Sequence, residues 1–406
     1  MGKKLLFVDD EPLLLQGLRR SLHGMRNDWD MTFVESGPAA LEVLEREPHE
    51  VIITDMRMPK MDGAQLLEEV KRQHPGMVRI VLSGQSSREA VLRSLSPAHQ
   101  YLSKPCDPQE LKLKLTQAFA MRDLLENPRL KALVSGLKSI PSLPAVYDEL
   151  MRELESEDSS TARVGAIISK DAGMTAKMLQ IANSAFFGLR SHISSPAQAV
   201  CMIGMDMVRA LVVSVHVFSE FEGNPAVSAR WEDLWEHSVD VGTLSKRIAT
   251  AEKASKQVIE ESFTAGLLHD VGKIILLAEM PDEYIAILQQ AKESSCSTAE
   301  AERAKFGCTH AEVGAYLIGI WGLPHSLIQA VGFHDHPSDC VEQRFSPVVA
   351  VHAADAIVSA KRDSITTRDV ALDQKYLAQI GLADREPVWH GLYDEQVSHK
   401  KARGAV

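Results

Sequence analysis

The sequence predicts a two-domain chain: a doubly wound α/β domain built on a five-stranded parallel sheet, followed by an all-α domain. Three observations carry this prediction. At 406 residues the chain exceeds what one hydrophobic core usually supports. From the start to about residue 118, short β-branched runs alternate with amphipathic helical stretches. From about Leu130 onward that alternation stops, and helical periods are separated by turns such as Ile140-Pro141-Ser142-Leu143-Pro144, Gly322-Leu323-Pro324 and His336-Pro337.

In order, the first domain reads as LLFVDD and a helix from Pro12, MTFVES and a helix from Pro38, then VIITD, VRIVLSG and QYLSKP. Doubly wound sheets bind ligands at the carboxyl ends of their strands. Asp9, Asp10, Asp55, Ser83 and Lys104 all fall there. Asp107, with Glu110 three residues on, is a capping pattern that opens a helix running towards Leu125, which Asn127-Pro128 interrupts. The expected boundaries are 1–120 for the first domain, 121–132 for a helical linker, 133–360 for the second domain and 361–406 for a helical extension. The final SHKKARGAV lacks apolar periodicity and is expected to fray.

Composition removes several function classes. With 45% hydrophobic and 24% charged residues the chain is globular rather than fibrous or disordered. A net charge of -11, and no basic recognition helix after the first domain, disfavour a nucleic-acid binder. The cysteines (Cys106, Cys201, Cys296, Cys308, Cys340) are scattered without CxxC spacing, which suits a reducing cytoplasm. The opening MGKKLLFVDDEP reads as a buried strand rather than a signal peptide, and no apolar run approaches the roughly 18 residues that span a bilayer.

Carboxylates gathered at strand ends repel one another, and a hard cation such as Mg²⁺ is the usual way to keep them ionised. Asp9, Asp10 and Asp55 would form that site. A lysine and a hydroxyl, Lys104 and Ser83, can hold the remaining oxygens of an incoming phosphoryl group. The structural alternative is that the acids cap loops and Lys104 merely pairs with one of them. FVDDEP, TDMRMPKMDG, LSG and YLSKP together resemble the response-regulator receiver family, over roughly the first 120 residues. The resemblance implies Asp55 as phosphoacceptor and Mg²⁺ held by Asp9, Asp10, Asp55 and the backbone carbonyl of Arg57. It also implies Ser83, Tyr101 and Lys104 as the switch set. A sensor histidine kinase is the implied donor, and a homodimer through this domain is a further expectation. Phosphate at Asp55 would draw in Ser83, let Tyr101 rotate and reshape the surface around the fourth and fifth helices. Met58-Pro59 and Lys104-Pro105 read as loop stiffeners.

The second domain holds His237, the pair His269-Asp270 followed by Gly272 and Lys273, then His310, His334, His336 and Asp355. Imidazoles and carboxylates together suit Fe, Mn, Zn or Co, and a helical bundle can project them inward. The order His237, His269-Asp270, Asp355 resembles that of the HD phosphohydrolase superfamily. His310, His334 and Lys273 resemble features of its HD-GYP branch. As a whole, however, residues 133 to 360 look like the HDOD family, through IPSLPAVYDEL, MTAKMLQIANSAFFG and HAEVGAYLIGIWGLP. That resemblance implies a signalling or scaffold module working through a downstream protein. Asp335 stands where HD-GYP proteins carry a second histidine, and the GYP motif is lacking. Two functions follow: a phosphorylation relay to a partner protein, or a phosphorylation-controlled metal-dependent phosphohydrolase in which Lys273 contacts phosphate. Met174, Met178 and Ile181 form a packing stripe at helical spacing. Asn183-Ser184 with Phe186-Phe187 suggests helix-turn packing, while His192, His325 and His352 receive no role.

Overall fold

A computed structural model describes residues 3–404 except 84–96, 105, 138, 143, 157, 185–191, 210, 213–224, 295, 341–343 and 362–370. The chain divides into two compact units. One comprises residues 1–138 with 180–192 and 316–322; the other comprises 139–179, 193–315 and 323–406.

In the first unit, β1 (Lys3–Val8), β2 (Trp29–Val34), β3 (Val51–Asp55), β4 (Val78–Ser83) and β5 (Gln100–Ser103) form a parallel sheet in the order β2-β1-β3-β4-β5. Its helices are α1 (Pro12–Ser21), α2 (Gly37–Arg46), α3 (Gly63–Gln73) and α4 (Pro108–Leu124). Residues 84–96 between β4 and β5, where a fourth helix was expected, lie outside the described residues. Leu5, Leu6, Phe7, Ile52 and Ile53 are buried, as β1 and β3 must be when both sheet faces are covered. Helix starts follow their local chemistry. Pro12 sits in the first turn of α1, the Ser36 hydroxyl accepts from Ala39 N–H at α2, and Asp62 and Gln65 form a reciprocal capping box at α3. β1 is flanked by β2 on one side and β3 on the other, so the strand order switches there and the ends of β1 and β3 open on one crevice.

The stretch 121–132, expected as a linker helix, contains a break. α4 ends at Leu124, and α5 (Pro128–Gly136) starts afresh where the Asn127 side chain accepts from Arg129 and Leu130 N–H. Near the end of α5, the buried Arg79 of β4 gathers backbone carbonyls. It donates to Pro97 at 2.6 Å, Met77 at 3.0 Å, Pro75 at 3.3 Å and Ser135 at 2.7 Å. His99 accepts the Arg79 N–H at its Nδ1 and donates Nε2–H to the same Ser135 carbonyl.

The helices that follow are α6 (Pro144–Glu155), α7 (Thr161–Ile168), α8 (Ala172–Ala182), α9 (Pro196–Ile203), α10 (Met205–Arg209), α11 (Pro225–Ala251), α12 (Lys256–Leu268) and α13 (Val271–Glu279). They continue with α14 (Pro281–Ser294), α15 (Thr298–Phe306), α16 (His310–Ile320), α17 (His325–Phe333), α18 (Pro347–Lys361), α19 (Gln374–Gln379) and α20 (Glu386–Gly404). The centre of the second unit is α18, buried all round from Pro347 to Ser359, with α11, α12 and α17 packed against it. Met174, Met178 and Ile181 are buried on α8, while Phe186 and Phe187 lie outside the described residues.

The C-terminus corrects one expectation: α20 carries SHKKARG in regular helix to Gly404. Its earlier turns are anchored, with Trp389 fully buried and donating Nε1–H to Glu252, and Gln396 donating to the Asp240 carbonyl. From that anchor Lys, Ala and Arg extend the helix by intrinsic propensity, which an apolar-periodicity reading does not register. Among the described residues no helix is long and apolar enough to cross a membrane.

Candidate functional sites

At the carboxyl edge of the sheet, the ends of β1, β3 and β5 place Asp9, Asp55 and Lys104 together. Lys104 Nζ lies 2.6 Å from Asp9 Oδ2 and also pairs with Asp55 Oδ1. Asp55 Oδ2 accepts the Arg57 N–H at 2.7 Å, and Asp9 Oδ1 accepts the Glu11 N–H at 2.9 Å. Asp10 follows at the crevice, half-buried. β3 and β4 pair Asp55 with Leu82, and β4 and β5 pair Ser83 with Ser103, so Ser83 ends its strand beside the approach to Lys104. The Ser83 side chain and Pro105 lie outside the described residues. Tyr101 is buried. Gly63 at the start of α3 admits no side chain, since a Cβ would meet the Asp55 carbonyl oxygen at 2.1 Å. Lys104 is held above its usual pKa: burial works against its charge, and hydrogen bonds to Asp55 and Asp9 outweigh burial.

In the second unit, His237 (α11), His269 and Asp270 (between α12 and α13), His310 (α16), His334 and Asp335 (after α17) and Asp355 (α18) converge. His237 Nε2 stands 3.0 Å from Asp355 Oδ1 and 3.2 Å from His269 Nε2, and His269 Nε2 is 3.4 Å from Asp270 Oδ2. Across Asp270, Oδ1 faces His310 Nε2 at 3.4 Å and His334 Nε2 at 3.7 Å. Apart from Asp335, at 12% side-chain exposure, these side chains are no more than 3% exposed. Gly272 permits the convergence: a Cβ there would lie 1.9 Å from the His310 carbonyl oxygen, so the start of α13 and the start of α16 touch main chain to main chain.

Partners outside the ring fix the imidazole tautomers. His269 Nδ1 donates to the Gly266 carbonyl at 2.7 Å and His334 Nδ1 to the Val331 carbonyl at 2.8 Å; a carbonyl only accepts, so each Nε2 turns a lone pair inward. His310 Nδ1 lies 2.8 Å from Glu302 Oε2, which also accepts the His310 N–H, while Tyr284 Oη–H donates to Glu302 Oε1 at 2.7 Å. His352 holds the loop: its Nδ1 donates to the His334 carbonyl, and its Nε2 accepts the Asp373 N–H. Such outer contacts orient ligands in metal sites.

The electrostatics suit cation binding. Burial pushes His269 down to about 4, leaving it a neutral donor. For Asp270 and Asp355 burial would raise the pKa, yet the surrounding imidazoles, with Lys273 beside Asp270, hold both below the usual carboxylate range. Burial likewise opposes a charge on His310, but Glu302 and Asp335 bring it up to about 9, so this interior takes up positive charge. Lys273 Nζ is buried 3.0 Å from Asp270 Oδ2, placing it as a counter-ion to that carboxylate.

All six expected metal ligands therefore meet in one place. Asp335, set aside in the sequence as a departure, meets them too. Glu302, Tyr284 and His352 were missed, because nothing in their spacing ties them to the ligands. His336 and His325 are exposed and lie outside this cluster.

Comparison with known proteins assigns both halves. A family model described as response regulator receiver domain matches residues 5–116, and one described as HDOD domain matches residues 140–337. An uncharacterized protein of Treponema pallidum (strain Nichols) is 24% identical over 222 residues, covering 55% of this chain and 42% of its own length. The transcriptional regulatory protein GlrR of Escherichia coli (strain K12) is 39% identical over 110 residues, 26% of this chain and 24% of its own. The chain thus spans less than half the length of these relatives. Among solved structures, the MmoQ response regulator of Methylococcus capsulatus str. Bath gives a TM-score of 0.48 at 22% identity, covering 63% of this chain and 98% of that one.

Proposed function

For a chain that joins a response-regulator receiver domain to an HDOD domain, we propose a signalling switch in which a sensor histidine kinase phosphorylates Asp55 and the HDOD domain passes the signal to a partner protein. The observation that carries this reading is Lys104 Nζ seated on both Asp9 and Asp55. A lysine so placed neutralises the acceptor carboxylate and can follow the phosphoryl oxygens once they are added. Asp9, Asp10, Asp55 and the Arg57 carbonyl would hold Mg²⁺, which supplies charge neutralisation during transfer. Ser83 and Tyr101 would then read out the phosphate.

The test is incubation with acetyl phosphate and Mg²⁺, followed by phosphate-affinity electrophoresis. A shifted band that disappears in Asp55→Asn and in excess chelator is expected; a band that survives Asp55→Asn would reject the assignment. Gel filtration with and without acetyl phosphate addresses the proposed receiver dimer, and a pull-down with the HDOD domain in both states addresses the downstream protein. A reducing, cytoplasmic setting accords with the free cysteines.

A second reading, a metal-dependent phosphohydrolase, has the convergent donors His237, His269, Asp270, His310, His334 and Asp355 in its favour. The fit to a first-row cation rests on the Asp270 carboxylate, whose Oδ1 is buried without a hydrogen-bond partner among the described residues. Lys273, the candidate phosphate contact, is already engaged with Asp270 inside the protein. Burial of donors and lysine alike favours a retained ion over turnover. Elemental analysis of wild type and of a His269→Ala, Asp270→Ala variant, with both assayed on phosphodiester and phosphomonoester substrates, separates the readings. Metal and hydrolysis lost together would make the protein a phosphohydrolase.

A further inference from the structure

One stretch of chain is claimed by both halves of the sequence. Tyr316–Gly322 closes α16 and falls inside the HDOD match, yet it packs with the sheet as part of the first unit. What holds it there is polar. Gln100 opens β5, and its Nε2–H groups donate to the carbonyls of Ile320 at 3.0 Å and Gly319 at 3.3 Å. Carbonyls in the last turn of a helix lack partners within it, so a side chain from another element completes α16. Tyr316 Oη lies 2.6 Å from Ser135 Oγ, and the Ser135 carbonyl is the one that Arg79 of β4 and His99 both hold. Gln180, near the end of α8, donates Nε2–H to the His99 carbonyl at 3.2 Å. Two glycines permit the close fit. A Cβ on Gly319 would sit 2.5 Å from Met121 Cγ and Sδ of α4, and one on Gly322, at φ +74°, would come within 3.2 Å of the Gln100 side chain.

These anchors lie on the strands that carry the phosphorylation chemistry. β5 has Gln100 at its start, Tyr101 next and Lys104 immediately past its end, while β4 contains Arg79 and ends in Ser83. When the bond between donor oxygen and phosphorus breaks and a new O–P bond forms on the Asp55 carboxylate, Lys104, which pairs with Asp55 and Asp9, must re-seat against the added phosphoryl oxygens. β5 is short and paired with β4 along its length, so a displacement at Lys104 reaches Gln100. The contact is also built to open. Water can replace every hydrogen bond in it, and Gln180 Oε1 is buried there with no hydrogen-bond partner among the described residues, a cost that release removes.

We propose that Tyr316–Gly322 is a latch, docked on β5 through Gln100 and Tyr316 while Lys104 sits on the Asp55 carboxylate, and released when Asp55 is phosphorylated. Through it α16, whose first residues belong to the second unit, carries the state of Asp55 into the helical bundle. This rests on the phosphorylation reading above and adds to it the route by which the phosphate is read.

The test uses the full chain with Mg²⁺ and beryllofluoride, an equilibrium stand-in for the phosphoryl group. Hydrogen–deuterium exchange is read by mass spectrometry over residues 316–322, with 348–358 of α18 as the folding control. Wild type is expected to exchange faster over 316–322 once beryllofluoride is bound, while 348–358 stays protected. Gln100→Ala should exchange fast without it. Coupling between two sites is reciprocal, so Gln100→Ala should also bind beryllofluoride about 5-fold or more tightly than wild type, which loss of a merely structural contact would not produce. Gln100→Glu, which keeps the shape and removes the donor, takes its place if the alanine variant loses protection at 348–358. Wild type that neither binds beryllofluoride nor accepts phosphate from acetyl phosphate would overturn the phosphorylation reading and the latch with it. Binding that leaves exchange over 316–322 unchanged, or that is equally tight in Gln100→Ala, would overturn the latch alone.

Discussion

His310 and His334 face each other at Nε2 across 3.4 Å, while the Nδ1 of each is turned outward to Glu302 and to the Val331 carbonyl. Under the ion-holding reading, two rings oriented by outside partners towards a common point would be stabilised by a cation between them. An ion that binds only the native state stabilises it by about 4 kcal/mol at a thousand times its dissociation constant. Scanning calorimetry of chelator-stripped protein should therefore show the helical unfolding transition move upward on adding Mn²⁺. An unchanged transition would count against a retained ion.

Glu302 accepts from Tyr284 Oη–H and from both the main-chain and ring nitrogens of His310. Glu302→Gln keeps the volume and removes the charge. We expect ion affinity about 10–100-fold weaker, the usual effect of losing an outer partner of a ligand, read by calorimetric titration with Mn²⁺. Tyr284→Phe, which removes a single hydrogen bond, should cost about 1 kcal/mol of stability and much less affinity.

Arg79 donates to the carbonyls of Pro75, Met77, Pro97 and Ser135 from a fully buried position. Arg79→Met leaves these acceptors without that donor, at about 1–3 kcal/mol for each one left unsatisfied, so loss of at least about 3 kcal/mol is expected in guanidinium unfolding of the first unit. Arg79→Lys should recover little of it, because an ammonium cannot reproduce the planar fork.

The cysteines should differ sharply in reactivity. Cys201 is exposed, whereas Cys308 and Cys340 are buried. Burial, helped by Glu312 and Glu302, pushes the Cys308 thiol up to about 12. A raised thiol pKa suppresses the thiolate at every pH below it, so at pH 8 a disulfide reagent should titrate Cys201 early and Cys308 only after denaturant is added. Mass mapping of the labelled peptides checks the order.

How much was legible in the sequence depended on whether a group signals locally. Asp9, Asp55 and Lys104 end or follow short strand-like runs, so the alternation of strands and helices placed them at one sheet edge. His269-Asp270 was visible because an apolar helix ends there, two residues before Gly272. Asp335 was discounted because an aspartate stood where a histidine was expected, although carboxylate and imidazole are interchangeable to many cations. Glu302 and His352 could not be read: each lies on a helix with no unusual pattern, and only folding brings it to His310 or to the His334 carbonyl. The helical course of SHKKARG was hidden for the opposite reason, since its support comes from Trp389 and Gln396 further up the same helix.

Gly272 adds a consequence for selectivity. A Cβ there would lie 1.9 Å from the His310 carbonyl oxygen, so the gap between Asp270 and His310 is gauged by two backbones in contact. Side chains accommodate guests of different radius by changing rotamer, but abutting main chains yield only if whole helices slide. Gly272→Ala is accordingly expected to lower the urea midpoint, with a cost of about 1–3 kcal/mol or more, and to disturb the spacing between Asp270 and His310 while leaving every proposed ligand in the sequence. If the cluster holds an ion as proposed, fitting it to a larger or smaller one would mean repositioning α13 against α16, a change no exchange of donor residues can supply.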